Sequence, residues 1–278
     1  MTRTIETGTE DLLAHVDDHV GVLTFNRPER RNALSESMYG GFDRALTAMA
    51  ADDDVRVLLV TGAGGAFCAG GDVKGMHDSH QSGVPRPGRP AEPAAAVARL
   101  RDHQARVSLA LNDFPRPVVA ALPGAAAGAG LSIALAADIR LAAERALLVT
   151  AFSTVGASGD FGGSWFLTQL VGPAKAKELY FTSPRLSARD ALELGIVNQV
   201  LPDEGFEQAA LDWCQELARR APIAVALMKE NITRAVTCDL STALDAEATA
   251  MISSMSTADH REAAAAFVEK RRPVFKGE

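Results

Sequence analysis

The stretch TVGASGDFGG, residues 154–163, carries one carboxylate, Asp160, among glycines, small side chains and a phenylalanine. A solvated surface charge needs no such setting, whereas a carboxylate that takes a proton from a weak acid does. An unperturbed Asp titrates near ~3.9 and is a poor base at neutral pH. Desolvation raises that value, and Phe152, Phe161, Trp165 and Phe166 are close enough in sequence to supply apolar surroundings. Gly159, Gly162 and Gly163 let this backbone approach a ligand. The competing reading is structural: Asp is a favoured N-cap, and an apolar helix is expected from about Gly163. The two roles are compatible. Two more stretches carry chemistry in their backbone. FCAGGD (67–72) and GAAAGAG (124–130) each follow an apolar, strand-like run and are rich in glycine and alanine. Such loops can aim N–H groups at a ligand oxygen, and two of them can converge on one carbonyl as an oxyanion hole. Close helix–strand packing also selects small residues, so each loop alone carries both readings; together they favour function.

Other chemistries fit poorly. The second loop has Gly128-x-Gly130 but Ile133 where a dinucleotide fingerprint needs glycine. No G-x-x-x-x-G-K-[ST] run and no G-x-S-x-G elbow is present. The six histidines stand at 15, 19, 77, 80, 103 and 260; one pair, His15 and His19, has HxxxH spacing, no CxxC accompanies it, and no metal site is expected. Three scattered cysteines, Cys68, Cys214 and Cys238, imply no disulfide framework. A net charge of −7 argues against nucleic acid as a partner. The apolar stretch around 118–143 is broken by Pro123 and by glycines, which argues against a membrane span. The N-terminus has no basic segment followed by an apolar run, so a cytoplasmic enzyme is expected.

The elements that must position these residues follow from periodicity. Strands are expected at 20–26, 55–62 and 116–122, with shorter ones in IRLAA and ALLVTAF. Ser37 is placed to cap a helix whose apolar face is Met38, Phe42, Ala45, Leu46 and Met49. Residues 77–95, rich in Pro and Gly, read as a mobile loop or lid, and a helix resumes near Ala95 and runs to about Asn112. An apolar helix over 163–170 is followed by helical stretches at 174–182, 187–194, 204–220, 222–236, 240–255 and 257–271. The class is α/β, with a right-handed β/α build followed by a helical half.

Four ordered motifs resemble the enoyl-CoA hydratase/isomerase, or crotonase, superfamily: NRPERRNALS (26–35), AFCAGGDVKGM (66–76), AALPGAAAGAGLSIALAADIRLA (120–142) and GIVNQVLP (195–202). The likeness runs from about Val20 to AFVEKRRPVF at 266–275. The resemblance implies a spiral of ββα units over residues 1–200 and a helical C-terminal trimerisation region over 201–278. It also implies an acyl-CoA thioester substrate, no cofactor beyond the CoA of that substrate, and a homotrimer or dimer of trimers. By motif position the two oxyanion donors are the backbones of Gly71 and Ala129. CoA would lie on Arg27, Arg31, Ala33, Ala69, Gly70, Asp72 and Val73, with Phe267 and Lys270 closing over the nucleotide, often from a neighbouring subunit. A solvated face is the competing reading for these basic side chains. The acyl pocket would include Ser132, Phe152, Phe161 and Trp165.

The chain also departs from the pattern. A typical enoyl-CoA hydratase holds its water between two glutamates, and those positions fall here on Ser132 and Phe152. Neither can be a carboxylate base. Asp160 instead coincides with a position that is acidic in dienoyl-CoA isomerases, ring-epoxide phenylacetyl-CoA isomerases and 4-chlorobenzoyl-CoA dehalogenases. The ring-epoxide isomerases are also similar at AAGAGLSIALA, with serine in place of the first glutamate. The leading expectation is enoyl-CoA double-bond isomerisation with Asp160 as acid and base. The alternatives are a 2-enoyl-CoA hydratase with a remodelled site and a CoA-binding protein without catalysis. A dehalogenase would also want a histidine to activate water, for which His103 is the candidate.

Overall fold

The computed structural model describes residues 2–72 and 92–278. Val73 and most of the loop expected at 77–95 lie outside the described residues.

A seven-stranded sheet runs in the order β1-β2-β3-β4-β5-β7-β10. Its strands are β1 (Arg3–Ile5), β2 (Leu12–Asp17), β3 (Val20–Phe25), β4 (Val57–Gly62), β5 (Val118–Leu122), β7 (Ile139–Ala143) and β10 (Gln199–Leu201). β1 and β2 pair antiparallel and lead into β3; from β3 onward the ladder is parallel. β4 and β5 are buried almost throughout, as expected of parallel strands covered on both faces. The two N-terminal strands were not among the expected elements: β1 is short and exposed, and only alternate residues of β2 are fully buried.

A second, smaller sheet runs beside the first. It contains β6 (Ala126–Ala127), β8 (Leu147–Val149) and β9 (Leu186–Ser187), in the order β6-β8-β9. Two isolated parallel bridges, Leu34 with Gly71 and Cys68 with Ala126, extend it across the earlier turns of the chain. Each turn thus adds a long strand to one sheet, a short strand or bridge to the other, and then a helix. This is the expected ββα spiral.

The helices cover both faces of the large sheet. On one side, Glu36–Ala50 sends Met38, Phe42, Ala45, Leu46 and Met49 into the main core. Its N-cap is Ser35 rather than Ser37; the Ser37 hydroxyl donates instead to Asp11 Oδ2 at 2.9 Å. On the other side, Phe206–Ala218 buries Phe206, Ala210, Cys214 and Ala218 against β3, β4, β5 and β7. The helix Gly163–Thr182 is interrupted at Gly172 (φ 75°) before Pro173, between the two helical stretches expected at 163–170 and 174–182.

The last three helices, Pro222–Ala235, Leu240–Met255 and Ala258–Glu269, bury little within the chain: no residue of the first, only Ala250 of the second, and Asp259 and Ala266 of the third. Met228, Ile232, Leu244, Met251 and Ile252 remain exposed on them. The tail is tied back by Asp259, which accepts the Lys276 and Gly277 N–H groups at 2.7 and 2.9 Å. No helix among the described residues is long and apolar enough to cross a membrane, and no metal-holding group of His, Cys, Asp and Glu occurs among them.

Candidate active site

The two glycine-rich loops meet. Phe67 and Cys68 both donate to the Ala125 carbonyl, at 3.0 and 3.3 Å, and Ala127 donates back to Cys68 at 3.0 Å. Residues 26–34 pack on the same loop: Leu34 donates to Gly70 at 2.8 Å and Ala69 to Arg31 at 3.0 Å. The Leu34–Gly71 bridge is parallel and uses the Gly70 carbonyl, so the N–H of Gly71 itself faces away from Leu34. Ala129 opens the helix Ala129–Leu135, and the first N–H groups of a helix have no carbonyl one turn back. Among the described residues, neither the bridge nor the helix supplies an acceptor for these two backbone groups.

Sterics explain why glycine is required. A Cβ on Gly130 would lie 2.1 Å from the Cys68 carbonyl oxygen, and one on Gly70 (φ +82°) 2.6 Å from that of Ala127. The loops touch backbone to backbone.

Asn32 holds this arrangement and was not singled out from the sequence. It is fully buried with φ 58°, a conformation Asn tolerates better than most residues. Its Nδ2 donates to the carbonyls of Ala63 and Ala66 at 2.8 Å, and its Oδ1 accepts the Arg27 N–H at 2.8 Å.

The residues expected to hold CoA are dispersed. The Arg27 guanidinium turns into its own loop, where Nη1 donates to the Ala33 carbonyl at 2.8 Å and Nε lies 3.8 Å from Asp11. Arg31 is exposed and left-handed, with φ 50°. Ala33 and Gly70 are buried; Ala69 and Asp72 are half-buried. Phe267 is 85% exposed, and Lys270 is also exposed, with φ 55°. Phe267 lies on the last helix, and Lys270 follows it as the C-cap.

A third wall carries side chains. Ser132 is buried three residues beyond Ala129 and donates to the Gly128 carbonyl at 3.3 Å. Its hydroxyl is also hydrogen-bonded to the Tyr180 phenol. Both reach the start of the helix Gly163–Thr182: a Cβ on Gly163 would lie 2.2 Å from Ser132 Oγ and 2.5 Å from the Tyr180 oxygen. Phe152 stacks on Tyr180, with ring centroids 5.8 Å apart. Tyr39 stacks on His103 (3.7 Å, interplanar 11°) and lies nearly parallel to Phe161 (6.3 Å, 6°). The Tyr180 phenol is pushed up to about 12, chiefly by burial; the Ser132 hydrogen bond lowers it and the nearby Asp160 charge raises it. Tyr39 is likewise raised, first by burial and then by Asp160, Glu36 and Cys68. The carboxylate therefore lies within electrostatic reach of both phenols.

Asp160 itself is half-buried. It does not cap the helix with its side chain: the N-cap is Gly162 and has no side-chain bond. Only the Asp160 main-chain carbonyl serves the helix start, accepting Gly163 N–H at 3.1 Å. Its Oδ1 accepts two donors, Gln104 Nε2 at 2.8 Å and the Phe161 N–H at 2.7 Å. Beside it opens a cleft of about 430 Å³ lined by Gln104, Ala105, Leu109, Phe161, Trp165 and Phe166, among others. Trp165 meets Phe166 edge to face at 5.1 Å and remains 45% exposed. His103 is engaged elsewhere, its ring on Tyr39 and its Nε2 3.5 Å from Glu36. Burial lowers its pKa, opposed by Glu36.

The glycine loops present backbone, and Asp160 presents a half-buried carboxylate near an apolar cleft. The comparisons give the family. The enoyl-CoA hydratase/isomerase family profile matches residues 15–278. The chain is 37% identical over 268 residues to the 1,2-epoxyphenylacetyl-CoA isomerase of Escherichia coli (strain K12), covering 96% of this chain and 99% of that protein. It is 32% identical to the short-chain-enoyl-CoA hydratase of Clostridium acetobutylicum, over 94% and 96% of the two chains. Among solved structures, an enoyl-CoA hydratase from Polaromonas sp. JS666 superposes with a TM-score of 0.86 at 34% identity, over 95% of this chain and 99% of that one. The chain belongs to the enoyl-CoA hydratase/isomerase family of the crotonase superfamily, and it is an enzyme of that kind.

Proposed function

We propose that this protein moves a double bond along an acyl-CoA thioester, with Asp160 as both base and acid. The observation that carries this reading is the half-buried Asp160 carboxylate, bonded to Gln104 of the cleft wall, with Ser132 and Phe152 at the positions where the two hydratase glutamates are expected. In the forward step on a 3-enoyl-CoA, the Asp160 carboxylate takes a proton from C2. The electron pair of that C–H bond forms the C1–C2 double bond of an enolate, and the carbonyl π pair moves onto the thioester oxygen. The N–H groups of Gly71 and Ala129 bind that oxygen. Each donor is expected to contribute about 2.7–4 kcal/mol in the transition state. The enolate then collapses: the C1–O pair re-forms the carbonyl, C2–C3 becomes double, and the C3–C4 π pair takes the proton from Asp160 at C4. The product is the 2-enoyl-CoA, and the carboxylate is regenerated.

The CoA portion would lie along residues 27–34 and 69–73, and Phe267 and Lys270 would close it from a neighbouring copy. The exposed apolar side chains of the last three helices support assembly into a trimer or a dimer of trimers. The cytoplasm remains the proposed compartment.

Proton NMR of a 3-enoyl-CoA in D₂O with the purified protein tests this reading. Migration of the double bond to C2 with deuterium entering the chain, both lost in Asp160→Asn, is the expected result. A 3-hydroxyacyl-CoA product, or full turnover by Asp160→Asn, would overturn it.

A further inference from the structure

The two oxygens of Asp160 have different surroundings. Both of its side-chain hydrogen bonds, from Gln104 Nε2 and from the Phe161 N–H, fall on Oδ1. Among the described residues Oδ2 accepts none. One oxygen is held and the other is left for the substrate. We propose that Gln104 is a positioning residue for the isomerase reaction: it fixes Oδ1 so that Oδ2 presents its lone pair to the reacting carbon. This rests on the acid/base reading of Asp160 above.

The structure around Gln104 supports such a role. It ends the helix Pro93–Gln104 and is followed at once by a π-helical turn, Ala105–Leu109. Single π turns are frequent at functional sites because the extra residue re-aims the side chains before and after it. Here the turn helps place Gln104 on the cleft wall. The preceding residue is also held: His103 stacks on Tyr39, and Tyr39 stacks on Phe161, the residue next to Asp160. The same aromatic stack thus ties the helix carrying the donor to the loop carrying the acceptor. The Phe161 N–H is fixed by the chain itself, with Phe161 buried at φ 50°. Among the described residues, the amide of Gln104 is the one side chain that hydrogen-bonds the carboxylate and so sets its rotation. A neutral amide donor also suits a group that alternates between carboxylate and acid. It leaves the reactive oxygen uncompensated, where a cation would hold the carboxylate ionised.

The test is a cycle of variants in the full-length enzyme, read as kcat, KM and thermal midpoint on a 3-enoyl-CoA. Gln104→Met keeps the length and removes the donor; Gln104→Glu replaces the donor with a second carboxylate. The expected result is a fall in kcat of roughly ten- to a hundredfold for Gln104→Met, the size of a lost hydrogen bond to a charged group. KM should stay within about twofold and the thermal midpoint unchanged, with a larger fall for Gln104→Glu, whose charge repels Asp160. In the Asp160→Asn background, Gln104→Met should add little, because the two residues act as a unit. If Asp160→Asn abolishes turnover while Gln104→Met keeps the parental kcat, the positioning role is overturned and the acid/base reading stands. A Gln104→Met loss that appears in KM, or that multiplies with Asp160→Asn, overturns it as well. Full activity of Asp160→Asn removes the acid/base reading itself.

Discussion

The two halves of the site are built by opposite means. The glycine-loop half, residues 67–71 and 124–130, presents backbone, and its geometry is set by what is missing: no side chain separates Gly130 from the Cys68 carbonyl. The carboxylate half presents a side chain, and its geometry is set by what is added. Gln104 arrives from 56 residues away in sequence to bind Asp160, and Tyr39 and His103 stack behind Phe161. The first half should tolerate loss of side chains and fail on any gain. The second should tolerate small steric changes and fail on loss of one polar atom.

The harshest test of that contrast is Gly130→Ala. The new Cβ would sit 2.1 Å from a backbone oxygen, which cannot rotate away. Overpacking of this kind costs roughly 1–3 kcal/mol, and each of the two loops pushed apart carries one proposed donor. Turnover should fall below detection together with a lowered thermal midpoint; a stable, active Gly130→Ala enzyme would end the backbone-contact account.

Asp160→Asn should behave in the opposite way. Turnover should drop by about 10²–10⁴-fold, the usual worth of general acid–base catalysis, while the unfolding transition stays where it was. The comparison breaks if the variant unfolds as readily as Gly130→Ala.

A titration sharpens the picture of the carboxylate half. The chain has two tyrosines, Tyr39 and Tyr180, and both are raised, Tyr180 to about 12. Tyrosines in the unfolded chain ionise near ~10. Below that pH both states keep the protons and the stability contributed by these phenols is fully present. As pH rises from ~10 through 12 the unfolded chain releases protons that the folded chain retains, so stability falls. Absorbance near tyrosinate wavelengths should stay flat to about pH 11 in the folded protein, and Tyr180→Phe should reduce the slope of stability against pH in this window. Appearance of tyrosinate near pH 10 without unfolding would contradict the burial.

The smallest effect is expected at Ser132. Its hydroxyl bonds Gly128 and Tyr180 and lacks the acidity to serve in the chemistry. Ser132→Ala should cost about 1 kcal/mol of stability and change kcat by less than about threefold. A hundredfold loss would give this hydroxyl a direct part in the reaction and undo the division between the two halves.

The sequence by itself determined the β/α build and the motifs on which the proposed first half of the site rests. Alternating strands and helices, glycines at fixed places after buried strands, and the order of four motifs are local properties, and local patterns survive being read one residue after another. The break at Gly172–Pro173 was legible for the same reason. The second half was legible only as a lone Asp in a glycine-rich stretch. That its side chain does not cap the helix, that Gln104 holds one of its oxygens, that Asn32 joins two loops, and that Arg27 folds into its own loop were decided by tertiary structure. A side-chain hydrogen bond between distant residues has no sequence period. It exists because the fold brings the end of the helix Pro93–Gln104 to the loop before Gly163, with a donor 2.8 Å from an acceptor, and only the folded chain specifies that distance.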